Sequence, residues 1–183
     1  MRRRIVLVGI FAVATACNAN QLAPATDSNL VDTITLGSVF GADLKYPSAY
    51  DITVGLPVRT DQTSAFDFIF DVDSLGRHLL IPLHAIPGLG NISGSNPGFI
   101  KLTKTFDQVT EAPSDGYLTT DSLILAPGDV LVARSRIACY LGVPQYAKFQ
   151  VIDFADSTKT VRLQALADIN CGYKNLQPGV PQN

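Results

Sequence analysis

Two histidines, His78 and His84, are the only imidazoles in the chain. An imidazole can ligate haem or a metal, or act as a general base. On one strand, residues six apart share a face but stand about 20 Å from each other. A shared task therefore requires the chain after Ile81 to fold back, and Pro82 supplies a break there. The plainer account is two unrelated polar side chains at a sheet edge. Asp67, Asp71 and Asp73 make an acidic strip that runs into Gly76 and matches the opening of a calcium loop. The later ligands and the closing glutamate of such a loop are missing, so a solvated sheet face ending in a hairpin turn accounts for it better. Residues 87–98 are rich in glycine, proline and serine. They lack the spacing and the strand–turn–helix context of a phosphate-binding loop. Ser93 and Ser95 lie outside a nucleophile-elbow pattern. No base stands beside a nucleophile, and the expectation is a protein that is not an enzyme. Tyr117, Tyr140, Tyr146 and Tyr173 would either line a ligand site with the glycine-rich loop or simply occupy sheet faces and rims. The candidate ligand-binding residues are therefore His78, His84, Tyr117 and Tyr146, with no metal site expected.

The three cysteines are Cys17, Cys139 and Cys171. Cys139 and Cys171 bracket two strand-like runs. An exported protein would keep them as a disulfide, closing a loop worth about 3.5–4 kcal/mol in the chain-entropy view. The alternative is two buried free thiols. A zinc site is not expected, because no histidine lies near them in sequence. Cys17 follows a different logic. Arg2, Arg3 and Arg4 form a basic start, residues 5–13 are a short apolar run, and Ala14-Thr15-Ala16 precede the cysteine. The run is too short for a membrane-spanning helix and has the form of a secretory leader. Small residues before a cysteine resemble the lipobox of bacterial lipoproteins, with cleavage after Ala16 leaving Cys17 as the lipidated terminus. The departure is Ala14, where leucine is commoner. An ordinary secretory signal cut at the same place is the alternative. Asn18, rather than aspartate, after the anchor cysteine fits outer-membrane sorting as it operates in enteric lipoproteins.

The elements that must position these residues are strands. Residues 130–135, 145–152 and 160–165 each alternate with the strand period of two and are separated by turn residues. They predict a three-stranded antiparallel unit clamped by Cys139–Cys171. Residues 64–73 predict a strand with Phe66, Phe68, Phe70 and Val72 on the core face, and Asp67, Ile69, Asp71 and Asp73 mostly toward water. A return over 77–81 makes it a hairpin. Further strands are expected over 49–54, 99–102 and 123–125, and Phe106 is expected to anchor the connection 106–117. No helix is expected in the mature chain.

The totals agree. The chain has 183 residues, 46% apolar and 16% charged, with 11 prolines and 14 glycines, enough for one packed domain with many turns. The net charge of -2 offers no basic field, so nucleic acid is not an expected partner. The expected organisation is a signal peptide over 1–16, a flexible tether over 17–33, an all-β domain over 34–176 and an extended tail over 177–183. The fold expected is an antiparallel sandwich or partly closed barrel of about eight strands.

Three segments carry a family resemblance: residues 66–70, residues 106–117, and residues 145–152 followed by 160–164. Their order and spacing resemble the HmuY-type lipoproteins of bacterial outer surfaces over residues 60–168. That resemblance implies an all-β surface lipoprotein, and the family includes haem-capturing members that hold the porphyrin between paired axial histidine or methionine side chains. The mature chain has no methionine, so His78 and His84 would have to serve. The disulfide and the ending Cys171-Gly172-Tyr173 stand outside the family pattern. The resulting expectation is an outer-membrane-anchored binding protein for haem or another apolar ligand. The alternative is a structural or protein-interaction lipoprotein of the envelope without a small-molecule ligand.

Overall fold

The computed structural model describes residues 22–89 and 97–182. Within them lie ten strands: β1 Val31–Gly37, β2 Ala49–Asp51, β3 Leu56–Val58, β4 Phe68–Val72, β5 His78–Pro82, β6 Gly98–Leu102, β7 Leu123–Ile124, β8 Val130–Arg134, β9 Tyr146–Ala155 and β10 Thr160–Asp168. They form two antiparallel five-stranded sheets, ordered β1-β10-β9-β8-β6 and β3-β2-β4-β5-β7. The sandwich form is the one adopted, and neither sheet closes into a barrel. Two single-turn 3-10 segments, Leu83–Ala85 and Phe106–Gln108, are the helical pieces among the described residues. The expected unit β8–β9–β10 is present in antiparallel register. So is the β4–β5 hairpin, where Val72 faces His78 across the ladder. Cys139 and Cys171 are joined, with their Cα atoms 5.7 Å apart.

The core fills the space between the sheets. Tyr50, Phe68 and Phe70 from one sheet meet Leu131, Phe149 and Leu163 from the other, all fully buried. The Phe149 ring stands edge-on to Tyr50 and Phe68, at centroid distances of 5.1 and 5.5 Å. Edge-to-face aromatic contacts of this kind add to what burial alone contributes.

Several details differ from the alternation expected of single strands. β4 begins at Phe68, so Phe66 leaves the core face and packs outside its sheet with Ala49, Ile69 and Leu83. Asp67 is completely buried. The predicted solvated face of this strand is therefore mostly covered. β8 and the first half of β9 are buried on both faces. Val130, Val132 and Tyr146 lie under Phe106, Val109 and Leu176, which come from the 105–118 connection and the C-terminal segment. Lys148 lies there too. Its Nζ donates to the carbonyls of Phe106 (2.8 Å) and Val109 (3.0 Å) and sits 4.2 Å over the Phe106 ring. Burial holds that ammonium's pKa below the usual lysine range, with the Asp107 charge opposing the shift.

The ends differ from the expected boundaries as well. Residues 25–29 are bonded to the C-terminal segment rather than hanging as a tether. Asn170 accepts the N–H groups of Thr26 and Asp27, and Asn29 pairs with Gly179. β1 then starts at Val31, ahead of the boundary expected at residue 34. The tether's first residues, 17–21, lie outside the described residues, as do Cys17 and the leader.

Candidate functional site

The two histidines lie on different elements. His78 opens β5, about 13 Å of strand separates it from Pro82, and His84 lies further on in the 3-10 turn Leu83–Ala85. The His78 ring is stacked on Phe154 of the opposite sheet, with centroids 3.7 Å apart and planes 9° from parallel. Phe70 lies parallel on the same ring system at 6.2 Å. Its Nε2 is 3.1 Å from Asp156 Oδ1. Two axial ligands must converge on one iron. The His78 ring is packed on Phe154 with its Nε2 on Asp156, so these residues do not fit a haem held between them. The Asp156–His78 contact gives two of the three members of a hydrolytic triad. Among the described residues, no hydroxyl or thiol is hydrogen-bonded to that imidazole.

The two tyrosines do come together. Tyr117 and Tyr146 have ring centroids 6.3 Å apart, and the Arg134 guanidinium carbon lies 4.8 Å over Tyr117. The Tyr117 hydroxyl donates to the Pro113 carbonyl at 2.9 Å. Burial raises the pKa of both phenols. They help hold the 105–118 connection onto the outer face of β8 and β9, as sheet-face tyrosines do.

The acidic strip is consumed locally. Asp73 accepts the N–H groups of Leu75 and Arg77 and the Arg77 Nε, which closes the hairpin turn at Gly76. Asp71 takes the Ser38 hydroxyl. Asp67 accepts the N–H groups of Ile52 (2.8 Å) and Arg136 (2.6 Å), with the Arg136 Nη1 at 3.3 Å. Arg136 continues to Asp51 through both terminal nitrogens, at 3.1 and 2.9 Å. The cluster ties the two sheets at the end nearest the disulfide. Burial pushes the Asp67 carboxyl up to about 6, although the Arg136 charge and both N–H groups pull the other way.

One recess has the make-up of a binding site. It measures 310 Å³ on the outer face of the β3-β2-β4-β5-β7 sheet and is lined by Val39, Phe66, Ile69, Ile86 and Leu89, with Thr60, Thr63 and Ser64 on one side. Phe66 is there because the chain changes face before β4. Ile86 and Leu89 are there because successive turns carry the chain back over the sheet, with the Ile86 N–H on the Leu83 carbonyl and the Leu89 N–H on the Ile86 carbonyl. Comparison with protein-family models, with curated proteins and with solved structures finds no match. The recess is therefore weighed on its chemistry alone. Among the described residues its lining holds no titratable side chain, metal ligand or nucleophile beyond three hydroxyls. A concave apolar floor with few polar groups suits reversible binding of an apolar molecule.

Sequence reasoning placed a ligand rim near the glycine-rich loop, and the recess borders residues 86–89 at its start. Residues 90–96 of that loop lie outside the described residues. The lining residues themselves were missed. Phe66 and Ile69 were given opposite faces of one strand, and only the Pro-Gly pair after Ile86 signalled a turn at its rim.

Proposed function

We propose that this chain is an exported lipoprotein of the bacterial envelope, anchored through Cys17, most fittingly in the outer membrane. Its β-sandwich takes a small apolar ligand in the recess of Phe66, Ile69, Ile86 and Leu89. The observation that carries the reading is that recess, apolar on its floor and hydroxyl-bearing on one side. The leader pattern ending Ala14-Thr15-Ala16-Cys17 supports the anchoring, and the resemblance to HmuY-type lipoproteins supports the surface role. Haem between His78 and His84 is not part of the proposal.

Titration of the purified protein with an apolar fluorescent dye such as anilinonaphthalene sulfonate tests it, alongside palmitate labelling of the wild type and Cys17→Ser. Saturable one-to-one binding is expected. Thr63→Trp, which plugs the recess, and Leu89→Glu, which charges its rim, are each expected to weaken it at least tenfold, and Cys17→Ser is expected to lose the label. Dye binding indifferent to both recess variants would remove the ligand reading. A protein-interaction lipoprotein is the second reading, favoured by the exposed apolar side chains Leu30, Val31 and Leu56 at the sheet margins.

A further inference from the structure

β1 is an open edge. In an antiparallel ladder, alternate residues bond the neighbour and the rest point away. The Ser38 N–H bonds the Lys159 carbonyl, and the register β1–β10 continues from there, so even-numbered residues of β1 face β10. Odd-numbered residues turn outward. Gly37 spends its N–H on the Pro47 carbonyl, and Thr33 meets only the adjacent Asp32 carboxylate, at 2.7 Å. Among the described residues, the backbone from Val31 to Thr35 thus presents an uncovered edge. The other three edges are blunted. β3 carries Pro57 at its centre, β7 has two residues, and β6 is bridged on both sides of Phe99 by Leu118. Natural sheets usually protect a long edge, and β1 is the exception here.

The surroundings specify what the edge would take. A cleft of 460 Å³ opens beside it between the two sheets, with Leu30, Ile34, Val54 and Leu56 among its walls and Asp32 at its side. Leu30 and Leu56 are 72% and 58% exposed. Asp32 has no ion-pair partner among the described residues. A second copy of β1, paired so as to use the whole free edge around Thr33, would bring two Asp32 carboxylates onto one face. Each would stand opposite Ile34 of the other copy, diagonal to its like charge, and neither would meet a cation. We propose that β1 accepts an extended peptide segment of a partner protein as an eleventh strand. The segment is apolar at alternate positions, to fill the cleft, and carries a lysine or arginine that meets Asp32. Main-chain bonds would supply the affinity and the alternate side chains the specificity. The inference is independent of the apolar-ligand recess.

The probe is a fluorescein-labelled eight-residue peptide of alternating valine and threonine with one central lysine, with a glutamate version beside it. Fluorescence anisotropy with the purified full-length chain should show saturable binding of the lysine peptide, at least tenfold tighter than the glutamate one. Thr35→Pro removes an outward donor without touching the β10 ladder, and should weaken binding tenfold or more at unchanged melting temperature. Should that variant unfold, Asp32→Lys at the exposed start of the strand decides alone: it should reverse the preference between the two peptides. Thr63→Trp, in the separate recess, should leave binding as it is. No binding of either peptide, or binding that ignores Asp32→Lys, overturns the proposal. So does a dimer of the free chain that Thr35→Pro dissolves, which would make the occupant a second copy.

Discussion

Asp67 shows at the scale of one residue how burial outweighs pairing. Its carboxylate has an arginine and two backbone donors, yet its pKa rises from 3.8 to about 6, because the site is wholly out of water. A carboxyl whose pKa is higher folded than unfolded binds protons preferentially in the folded state. Its contribution to stability is fully present below the unfolded value and is lost as pH rises through about 6. Urea unfolding between pH 4 and 7 is expected to show stability declining with pH over that window. The change is about 3 kcal/mol at most from this group, and Asp67→Asn should flatten the slope. Asp67→Ala, which strands the Arg136 guanidinium and the Ile52 and Arg136 N–H groups, should cost about 3 kcal/mol or more at neutral pH. A pH profile identical in Asp67→Asn would place the titration elsewhere. None of this was legible in the sequence. Asp67 alternates with phenylalanines as a solvent-facing residue would, and its partner Arg136 stands 69 residues later.

Among elements, legibility tracks how local the determinants are. Alternation found β8, β9 and β10 and the order in which they pair, because a strand's period is written in its own residues. The β4–β5 hairpin was legible from its Asp73-to-Gly76 turn, where Gly76 takes φ 75°. What alternation does not encode is cover. The second faces of β8 and β9 are buried by Phe106, Val109 and Leu176, and no pattern in residues 146–155 announces a layer built from such distant segments. The start of β1 was hidden because Asp32 and Thr33 read as tether. The disulfide clamp was legible from cysteine arithmetic, and it joins the chain after β8 to the chain after β10. Closing a loop of that length constrains the unfolded chain by about 3.5–4 kcal/mol. Denaturation with and without a reductant should differ by about that much, and Cys139→Ser with Cys171→Ser should reproduce the reduced protein. A difference under about 1 kcal/mol would show that the β8–β10 unit needs no clamp.

For the whole molecule the deciding fact is that the sandwich is full. Tyr50, Phe68, Phe70, Phe99, Phe149 and Leu131 occupy the inter-sheet space at almost no exposure, so a planar macrocycle has no slot there. The recess of Phe66 and Leu89 and the β1 cleft lie at outer faces and edges. The histidines follow from the same packing. His78 closes one end of the core, between Phe70 and Phe154, and holds Asp156 from the turn between β9 and β10. Its imidazole is stacked closely on the Phe154 ring, which is a packing role. A haemin titration is therefore expected to give no sharp low-spin Soret band of the kind two axial histidines produce. His78→Ala should register in stability instead, losing about 1–2 kcal/mol as two stacked ring contacts disappear. His84→Ala separates the alternatives. If a low-spin spectrum formed in the wild type and vanished in either variant, the chain from His78 to His84 would have to fold back on itself. That would break the β4–β5 ladder, in which Phe68 faces Pro82, and the loss of amide protection along β5 would report it.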